Sequence, residues 1–428
     1  METVYIGLAG FGTVGSGLAK ILESNGAWIE RRLGKRIAIK KVLVRDLNKA
    51  RAASPGPEAT FTVDPTELIR DPDVSIVVEL MGGVDAARSL ITAALNAGKH
   101  VVTANKHLLA EHGPELFALA AKQGRGLFYE ASVAGGIPTI STFREALAGD
   151  RISEVVGILN GTANYILSEM TVNGLDFNTA LGQAQDLGYA ESDPTLDIEG
   201  HDTAHKLVVL IRLAFGLDYP LHQLPVRGIT AITPQDITYA RDFGYRIKLI
   251  AEAREVDGQI EAGVFPALVR YTYLLARVGG NYNAIRLTGN AVGPVMLHGQ
   301  GAGDLPTGSA VLADIMALVR GPEAPDNTGF RNAPLESAPI LPPEQAVSMH
   351  YLRATVEDRT GVMASIAQAM ADNGVSIAQA VQKGEGENGS VSVVFITHDA
   401  SAAAMTKVLA DIDALDFTVK PTMHYRIL

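Results

Sequence analysis

Short β-branched and apolar runs alternate with helical patterns along the N-terminal third of the chain. This alternation is typical of βαβ units in a parallel, doubly wound sheet. The predicted strands are Val4–Ala9, Ile37–Val44, Ile76–Leu80, Val101–Thr103 and Gly126–Glu130. The predicted intervening helices include Val14–Ser24 and Ala86–Ala97, and residues 25–36 extend the first crossover.

The pattern changes to a mixture of strands and helices after Asp150, which indicates a second domain of the α+β class. Strands are predicted at Ile152–Leu159 and Ile260–Pro266, and the domain should end with a helix at Ser309–Val319. We therefore expect a first domain at 1–135 and a second at 136–320.

A proline-rich stretch separates this domain from the C-terminal part of the chain. Residues 321–348 hold six of the chain's 20 prolines and almost no periodicity, which predicts a linker. Residues 349–428 then have the β-α-β-β-α-β order of a ferredoxin-like domain. The six predicted elements are Tyr351–Val356, Val362–Asn373, Val375–Gln382, Ser390–Thr397, Ala400–Asp413 and Phe417–Tyr425.

Composition narrows the class of protein. Hydrophobic residues make up 47% and charged residues 19% of the 428 positions, which is typical of a globular protein. The net charge of -11 is interspersed and argues against a nucleic-acid partner. There is no cysteine, which excludes disulfides and thiolate metal sites. Without a signal-peptide pattern or a bilayer-length apolar run, we expect a cytoplasmic enzyme with no membrane partner.

A glycine-rich loop follows the first predicted strand and opens the first helix. It reads Gly10, Phe11, Gly12, Thr13, Val14, Gly15. Its three glycines permit a tight turn, a close approach of a pyrophosphate, and close packing of helix on strand. A purely structural turn has the same short pattern, but the strand–turn–helix context favours a Rossmann-type site for a dinucleotide.

Residues near later strand ends should face the same crevice. Arg45 suits the 2′-phosphate of NADP, whereas the adjacent Asp46 suits the ribose of NAD; we favour NADP, although either side chain could be merely solvated. Thr103 ends another predicted strand and Lys106 follows it, and both are predicted to contact the cofactor. Lys106 could instead be a surface lysine at a helix start.

Residues 184–206 concentrate six carboxylates ahead of an apolar helix. Asp202 and Lys206 share a helix face at i and i+4, which alone could be an ordinary ion pair. His201 and His205 flank Asp202, but no third ligand is evident, so a zinc site is not favoured.

The whole segment resembles the homoserine dehydrogenase signature, in which Ala-x3-Gly leads through Asp-Pro to Asp, Gly, Asp and Lys. The resemblance extends over the full chain. It implies a reversible, NAD(P)H-dependent reduction of L-aspartate 4-semialdehyde to L-homoserine, in threonine and methionine biosynthesis. Lys206 would be the acid/base, Asp202 would orient it, and Lys106 would assist at the substrate.

The resemblance also implies further ligand contacts. Glu191 and Asp197 would bind the substrate's ammonium group, and Gly188 and Gly303 would lie close to the cofactor. Carbonyls of a Gly-rich loop would ligate sodium, as oxygen ligands suit a hard cation, although this loop could equally be a hinge between domains. These carbonyls belong to Glu130, Val133, Gly135 and Ile137.

The C-terminal region resembles an ACT domain, in which small effectors bind near the loop after the first strand. Asp358 and Gly361 lie in that loop here. The resemblance implies L-threonine as effector and a homo-oligomer, whereas a ligand-free dimerisation module is the alternative.

Two other functions share parts of this pattern. A related amino-acid dehydrogenase of the saccharopine or aspartate type would not need the complete segment from Gly188 to Lys206. A catalytically silent sensor of NADP and amino acids would be expected to lack Asp202 or Lys206, and both are present. A nucleic-acid-binding regulator lacks any basic or aromatic platform.

Overall fold

The computed structural model describes residues 2–49, 51, 53–321, 327–330, 335–383 and 389–428. Its N-terminal part is a six-stranded sheet in which every strand pair is parallel. The strands are β1 (Thr3–Ala9), β2 (Arg36–Leu43), β3 (Thr60–Thr62), β4 (Val74–Glu79), β5 (His100–Thr103) and β6 (Leu127–Phe128). Their spatial order, β3-β2-β1-β4-β5-β6, is the doubly wound dinucleotide-binding order, so the predicted fold class is confirmed.

Four helices connect these strands. They are α1 (Thr13–Leu33), α2 (Pro65–Arg70), α3 (Asp85–Asn96) and α4 (Lys106–Gln123). The segment that extends the first crossover is helical, so α1 continues well beyond the predicted end at Ser24. Two arginines in the last turn of α1 interact favourably with the negative end of the helix dipole. Gly34 ends the helix in the left-handed conformation.

A second sheet has ten strands and extends from the middle of the chain into its C-terminal part. The strands from the middle part are β7 (Ile152–Ile158), β9 (Tyr245–Val256), β10 (Gln259–Arg270), β11 (Tyr282–Gly289) and β12 (Gly293–Gln300), while β8 (Leu217–Asp218) lies outside this sheet. The helices of this part are α5 (Thr139–Ser141), α6 (Gly161–Asn173), α7 (Phe177–Asp186), α8 (Thr195–Ile198), α9 (His201–Phe215) and α10 (Pro234–Asp242). Helices α6, α9 and α10 contact β9, which places α9 directly over the sheet.

Helix α11 (Asp304–Arg320) corresponds to the last helix predicted for the middle domain. It packs against α1 and shares a hydrophobic core with the parallel sheet, to which it contributes Val311 and Ile315. The chain therefore returns to the N-terminal layer before it enters the C-terminal part. Neither α11 nor another helix of the described ranges is long and apolar enough to cross a membrane.

The C-terminal part has the ferredoxin-like order that the sequence predicts, and it extends the second sheet. Of the predicted linker 321–348, residues 322–326 and 331–334 lie outside the described residues, and a short strand within it, β13 (Glu336–Ser337), pairs with β8. The elements are β13 (Glu336–Ser337), β14 (Val347–Glu357), α12 (Val362–Asp372), β15 (Ile377–Lys383), β16 (Ser390–Thr397), β17 (Ala400–Ser401), α13 (Ala402–Asp413) and β18 (Thr418–Ile427). A short parallel pairing of β10 with β18 joins the strands of the middle and C-terminal parts into one ten-stranded sheet.

Candidate active site

A cleft of about 390 Å³ lies where the carboxyl ends of β4 and β5 face the start of α9. This is the edge at which an open α/β sheet binds its ligand. Five of the sequence-predicted site residues line the cleft. They are Val14, Lys106, Glu191, Asp197 and Asp202.

The buried ion pair of Asp202 and Lys206 lies in the first two turns of α9. The Lys206 Nζ donates to Asp202 Oδ2 at 2.6 Å and to the Leu159 carbonyl at 2.7 Å. Both residues are less than 10% exposed, at 8% and 9%. This is therefore not the solvated surface pair that i, i+4 spacing alone would allow, since its ammonium is fixed by two acceptors.

Lys106 approaches the same carboxylate from the start of α4. Its Nζ lies 3.3 Å from Asp202 Oδ1. Burial alone would raise the pKa of Asp202, but the ammonium groups of Lys206 and Lys106 outweigh burial and lower that pKa well below its ordinary value. Asp202 therefore stays ionised at neutral pH and joins the two lysines.

Asp197 and Glu191 place two further carboxylates at the cleft. Asp197 is partly buried on α8, and burial raises its pKa, with the nearby Asp202 adding to the rise. Glu191 is exposed in the loop between α7 and α8. Two carboxylates on one wall provide acceptors for a cationic group of a ligand.

Asn160 joins these carboxylates and was not singled out from the sequence as a site residue. Its Nδ2 donates to Asp197 Oδ1 at 2.6 Å and to Asp202 Oδ2 at 2.9 Å. Its Oδ1 accepts from the N–H of Ala163 and so caps α6. An Asn just before a helix predicts only the cap. The contacts of Asn160 with α8 and α9 could not be predicted in this way, because they join residues far apart in sequence.

A second asparagine acts on Lys206 through the backbone. Asn283, on β11, donates from Nδ2 to the Leu159 carbonyl at 2.9 Å, and this carbonyl also accepts from Lys206. Asn283 is 1% exposed. The carbonyl that positions Lys206 is thus held from the opposite side, and no local pattern around Asn283 predicts this.

The glycine loop has the geometry that the sequence predicts. Gly10 has φ of +99°, and a Cβ there would lie 2.5 Å from the Leu80 carbonyl oxygen. A Cβ on Gly15 would lie equally close to the Gly10 carbonyl oxygen. At Gly12, by contrast, the space around a Cβ is open, and Gly12 immediately precedes α1. The loop therefore leaves room for a phosphate at the helix N-terminus.

The two other predicted cofactor glycines lie at helix ends. Gly303 immediately precedes α11, whose first turn lies against α1, so that a Cβ on Gly17 would clash with the Asp304 backbone. Gly188 lies in the exposed loop that follows α7. Two helix N-termini, those of α1 and α11, thus lie side by side near the dinucleotide loop.

Of the predicted cofactor residues, only Val14 and Lys106 line the cleft, and Thr103 and Arg45 lie away from it. Thr103 is fully buried, and its hydroxyl donates to Glu79 at 2.7 Å and accepts from the N–H of Asn105 at 3.0 Å. Its side chain therefore stabilises the end of β5 through hydrogen bonds and does not reach the cleft. Arg45 is exposed just beyond β2, while the adjacent Asp46 carboxylate accepts a backbone N–H from its own loop.

His205 faces the cleft and stacks on His107, with ring centroids 4.3 Å apart. Burial, followed by the neighbouring His107, lowers the pKa of His205 to about 4. His205 is therefore neutral at pH 7. The described ranges contain no group of three or more His, Asp or Glu side chains placed to hold a metal ion, including around His201.

The loop predicted to ligate sodium connects the parallel sheet to α5. The Glu130 carboxylate is buried and accepts two backbone N–H groups, each at 2.8 Å. In the described part of the chain, the carbonyls of Val133 and Gly135 accept no hydrogen bond, whereas that of Ile137 accepts from Thr139 N at 2.7 Å. Free carbonyl oxygens of this kind suit a hard monovalent cation.

The predicted effector loop lies between β14 and α12. Gly361 immediately precedes α12 with φ of +92°, and among the described residues no side chain caps this helix. Asp358 is exposed, and its N–H donates to the Gly389 carbonyl at 3.1 Å. The N-terminus of α12 therefore presents backbone donors at the end of the sheet.

Comparisons with known proteins agree with this architecture. Residues 10–130 match the profile described as "Homoserine dehydrogenase, NAD binding domain", residues 138–316 match "Homoserine dehydrogenase", and residues 350–416 match "ACT domain". A homoserine dehydrogenase of Neisseria gonorrhoeae is 43% identical over 432 residues, covering 100% of this chain and 99% of that protein.

Solved structures give the same result. A homoserine dehydrogenase structure from Thiobacillus denitrificans has a TM-score of 0.94 and 42% identity, covering 100% of this chain and 99% of that one. A hyperthermophilic archaeal homoserine dehydrogenase, solved in complex with NADPH, has a TM-score of 0.62 and 27% identity, covering 75% of this chain and 99% of that one. The chain therefore belongs to the homoserine dehydrogenase family, whose members are NAD(P)-dependent oxidoreductases.

Proposed function

We propose that this enzyme reduces L-aspartate 4-semialdehyde reversibly to L-homoserine, a step of threonine and methionine biosynthesis, with Lys206 as the acid that protonates the aldehyde oxygen. The observation that carries the proposal is the Lys206 ammonium, fixed between Asp202 and the Leu159 carbonyl beside the cleft. Bound NAD(P)H supplies the hydride. A carbonyl that accepts hydride develops negative charge on oxygen, which a positioned ammonium stabilises and protonates.

The substrate's polar groups fit the remaining side chains. Glu191 and Asp197 receive its α-ammonium group, because both carboxylates line the cleft and Asn160 fixes the second of them. Lys106 also lines the cleft and binds the substrate carboxylate or the reacting oxygen. Its partly exposed side chain leaves it free to shift from Asp202 toward the substrate.

For the cofactor we infer NADP rather than NAD. The loop from Gly10 to Gly15 holds the pyrophosphate, with Phe11, Thr13 and Val14 on its ligand side. The exposed Arg45 is available to a 2′-phosphate, whereas the Asp46 carboxylate is engaged by its own loop. The archaeal relative solved with NADPH supports this choice.

We further infer a sodium ion on the loop from Glu130 to Ile137, supported by the free carbonyls of Val133 and Gly135. Its role would be structural, since this loop connects the parallel sheet to α5, the first helix of the middle part. The family and the ACT domain favour a homo-oligomer, and the absence of cysteine suits an enzyme of the cytoplasm.

L-Threonine is the effector that we propose for the C-terminal domain. Its carboxylate would meet the uncapped N-terminus of α12 after Gly361, and its ammonium would meet the exposed Asp358. Binding there lowers activity only if it favours one of two domain arrangements. Asp358→Asn should raise the threonine concentration required for half-maximal inhibition.

The first experiment is the oxidation of NADPH, and separately of NADH, with L-aspartate 4-semialdehyde, in the presence and absence of threonine. We expect rapid turnover, preference for NADPH, loss of that preference in Arg45→Gln, and slowing by threonine. Absence of turnover in folded protein would refute the proposed reaction and favour a sensor. Turnover only with a different oxo acid and ammonia would favour the related amino-acid dehydrogenases.

A further inference from the structure

A second cleft, of about 520 Å³, opens between α6, the start of β9 and the turn that precedes β11. It shares no lining residue with the active-site cleft. Among the described residues that line it, three are cationic, namely Arg246, Lys248 and Arg277, and one is a carboxylate, Glu169. The reaction proposed above assigns no role to any of them.

Lys248 is buried without a counter-charge. It is 4% exposed, and its Nζ donates to Asn164 Oδ1 at 2.9 Å and to the Val278 carbonyl at 2.6 Å. Both acceptors are uncharged, and an ammonium group has a third N–H to donate. Burial, followed by the charge of Arg246, lowers the pKa of Lys248 to about 7. An anion beside the Lys248 ammonium would favour its charged form and so raise this pKa.

Arg246 is also incompletely satisfied. Its guanidinium lies 4.6 Å from the centre of the Tyr271 ring, and its Nη1 is buried with no hydrogen-bond partner in the described part of the chain. Three other buried cations, Lys206, Arg212 and Arg353, each bond a carboxylate. Within the described ranges, buried Lys99 donates only to the Asp71 and Val74 carbonyls, but it does not line a cleft that also holds a guanidinium N–H without a partner. A buried N–H group without an acceptor is costly unless a ligand supplies one, and this applies to Nη1 of the half-buried Arg246.

We propose that this cleft binds a small oxyanion of the phosphate or carboxylate class. Its oxygens accept from the free Arg246 Nη1 and from the third N–H of Lys248, and the exposed Arg277 closes on it from the mouth of the cleft. Guanidinium groups match the geometry of both classes of oxyanion. The excess of cations over carboxylates in the lining favours a doubly charged ligand.

The turn from Val278 to Tyr282 lies beside Lys248 and indicates how a bound anion would affect the stability of the protein. Asn164 donates from Nδ2 to the carbonyls of Val278, Gly280 and Tyr282, so one side chain holds the whole turn. The Lys248 ammonium bonds both this amide and the Val278 carbonyl. An anion that keeps Lys248 charged therefore strengthens the anchor of the loop and raises the unfolding temperature.

The test is isothermal titration of inorganic phosphate, and separately of succinate, into the full-length protein saturated with NADPH. Saturation fills the phosphate positions of the dinucleotide site. We expect one anion per chain in addition to NADPH. Arg246→Gln should weaken binding about ten-fold or more, as the loss of a hydrogen bond to a charged group does.

Two further variants separate the site from general effects. Arg70→Gln removes an exposed arginine at the end of α2, outside both clefts, and should bind phosphate as the wild type does. Lys248→Met should lose phosphate binding and serves if Arg246→Gln fails to fold. The proposal is wrong if neither anion binds to the wild type, or if all variants bind equally. It is also wrong if Arg246→Gln affects only self-association, because the cations would then face a second copy of the chain.

Discussion

Replacing Lys206 with methionine separates its chemical role from its structural one. The substitution keeps an unbranched stem on α9 and removes the ammonium that donates to Asp202 and to the Leu159 carbonyl. A positioned general acid contributes about 10²–10⁴-fold to turnover. We therefore expect kcat to fall by that factor, equivalent to about 2.7–5.4 kcal/mol of barrier.

Stability should change as well, because Lys206→Met leaves the Asp202 carboxylate buried. Removal of one partner from a buried ion pair costs about 3–5 kcal/mol. Lys106, at 3.3 Å from the carboxylate, and Asn160, at 2.9 Å, remain in place, so we expect the lower end of that range. Folding should survive, since domains of this kind have about 5–15 kcal/mol of stability.

A double variant, Lys206→Met with Asp202→Asn, provides the matched control. It removes the orphaned charge, so urea unfolding should show recovered stability while NADPH oxidation stays slow. NADPH affinity, followed by its fluorescence, should match the wild type in both variants. Turnover within ten-fold of the wild type, or a loss of NADPH affinity as large as the loss of turnover, would refute the acid role of Lys206.

Three further outcomes follow from the same geometry. Asn160→Ala removes the cap of α6 and two hydrogen bonds to carboxylates, so KM should rise and thermal unfolding should show a loss of stability of about 2–4 kcal/mol. Asn160→Ser retains a cap and should lose less stability. The pKa of His205 is lowered from 6.5 to about 4, so between these pH values the unfolded chain binds a proton that the folded chain does not. Stability should therefore fall as pH falls from 6.5 to 4, and urea titrations of His205→Gln should show a shallower fall. Arg353→Met leaves the buried Asp236 carboxylate without its two guanidinium bonds and should cost about 3–5 kcal/mol in urea unfolding, with partial recovery when Asp236→Asn is added.

Local patterns were sufficient for much of the fold and for part of the site. The glycine loop predicted its turn because only the absence of a Cβ permits the contacts of Gly10 and Gly15, and this requirement is visible in the sequence. The pair of Asp202 and Lys206 was predictable because helical periodicity places i and i+4 together. The order of strands and helices in the C-terminal domain follows from hydrophobic periodicity alone.

The remaining features depend on contacts between distant parts of the chain. Asn160 has the local signature of a helix cap, and only the packing of α6 beside α9 brings its amide to two carboxylates. The Leu159 carbonyl that holds Lys206 is a backbone group, which no residue pattern can mark. Helix α11 was predicted at Ser309–Val319 but begins at Asp304, and its packing against α1 depends on close approach at Gly308, whose Cβ would lie 2.7 Å from Leu18 N.

The segment from Arg227 to Ile229 links strand β18 of the C-terminal domain to the active-site cleft. Arg227 donates from Nη1 to the His424 carbonyl of β18 at 2.7 Å, and its N–H donates to the Val264 carbonyl of β10 at 2.8 Å. Two residues later, the N–H of Ile229 donates to the Ile198 carbonyl at the end of α8. Because α8 carries Asp197, a displacement of β18 has a direct, hydrogen-bonded route to a carboxylate of the active site. Contact alone does not make this route regulatory, since coupling also requires two arrangements that the effector binds unequally. The junction of β18 with β10 restricts what those arrangements can be. It has two residue pairs, and Arg426 of β18 also donates to the Glu261 carboxylate of β10 at 2.6 Å, so a shift of β18 that moves the partner of Arg227 must also break this ion pair or move β10 with it.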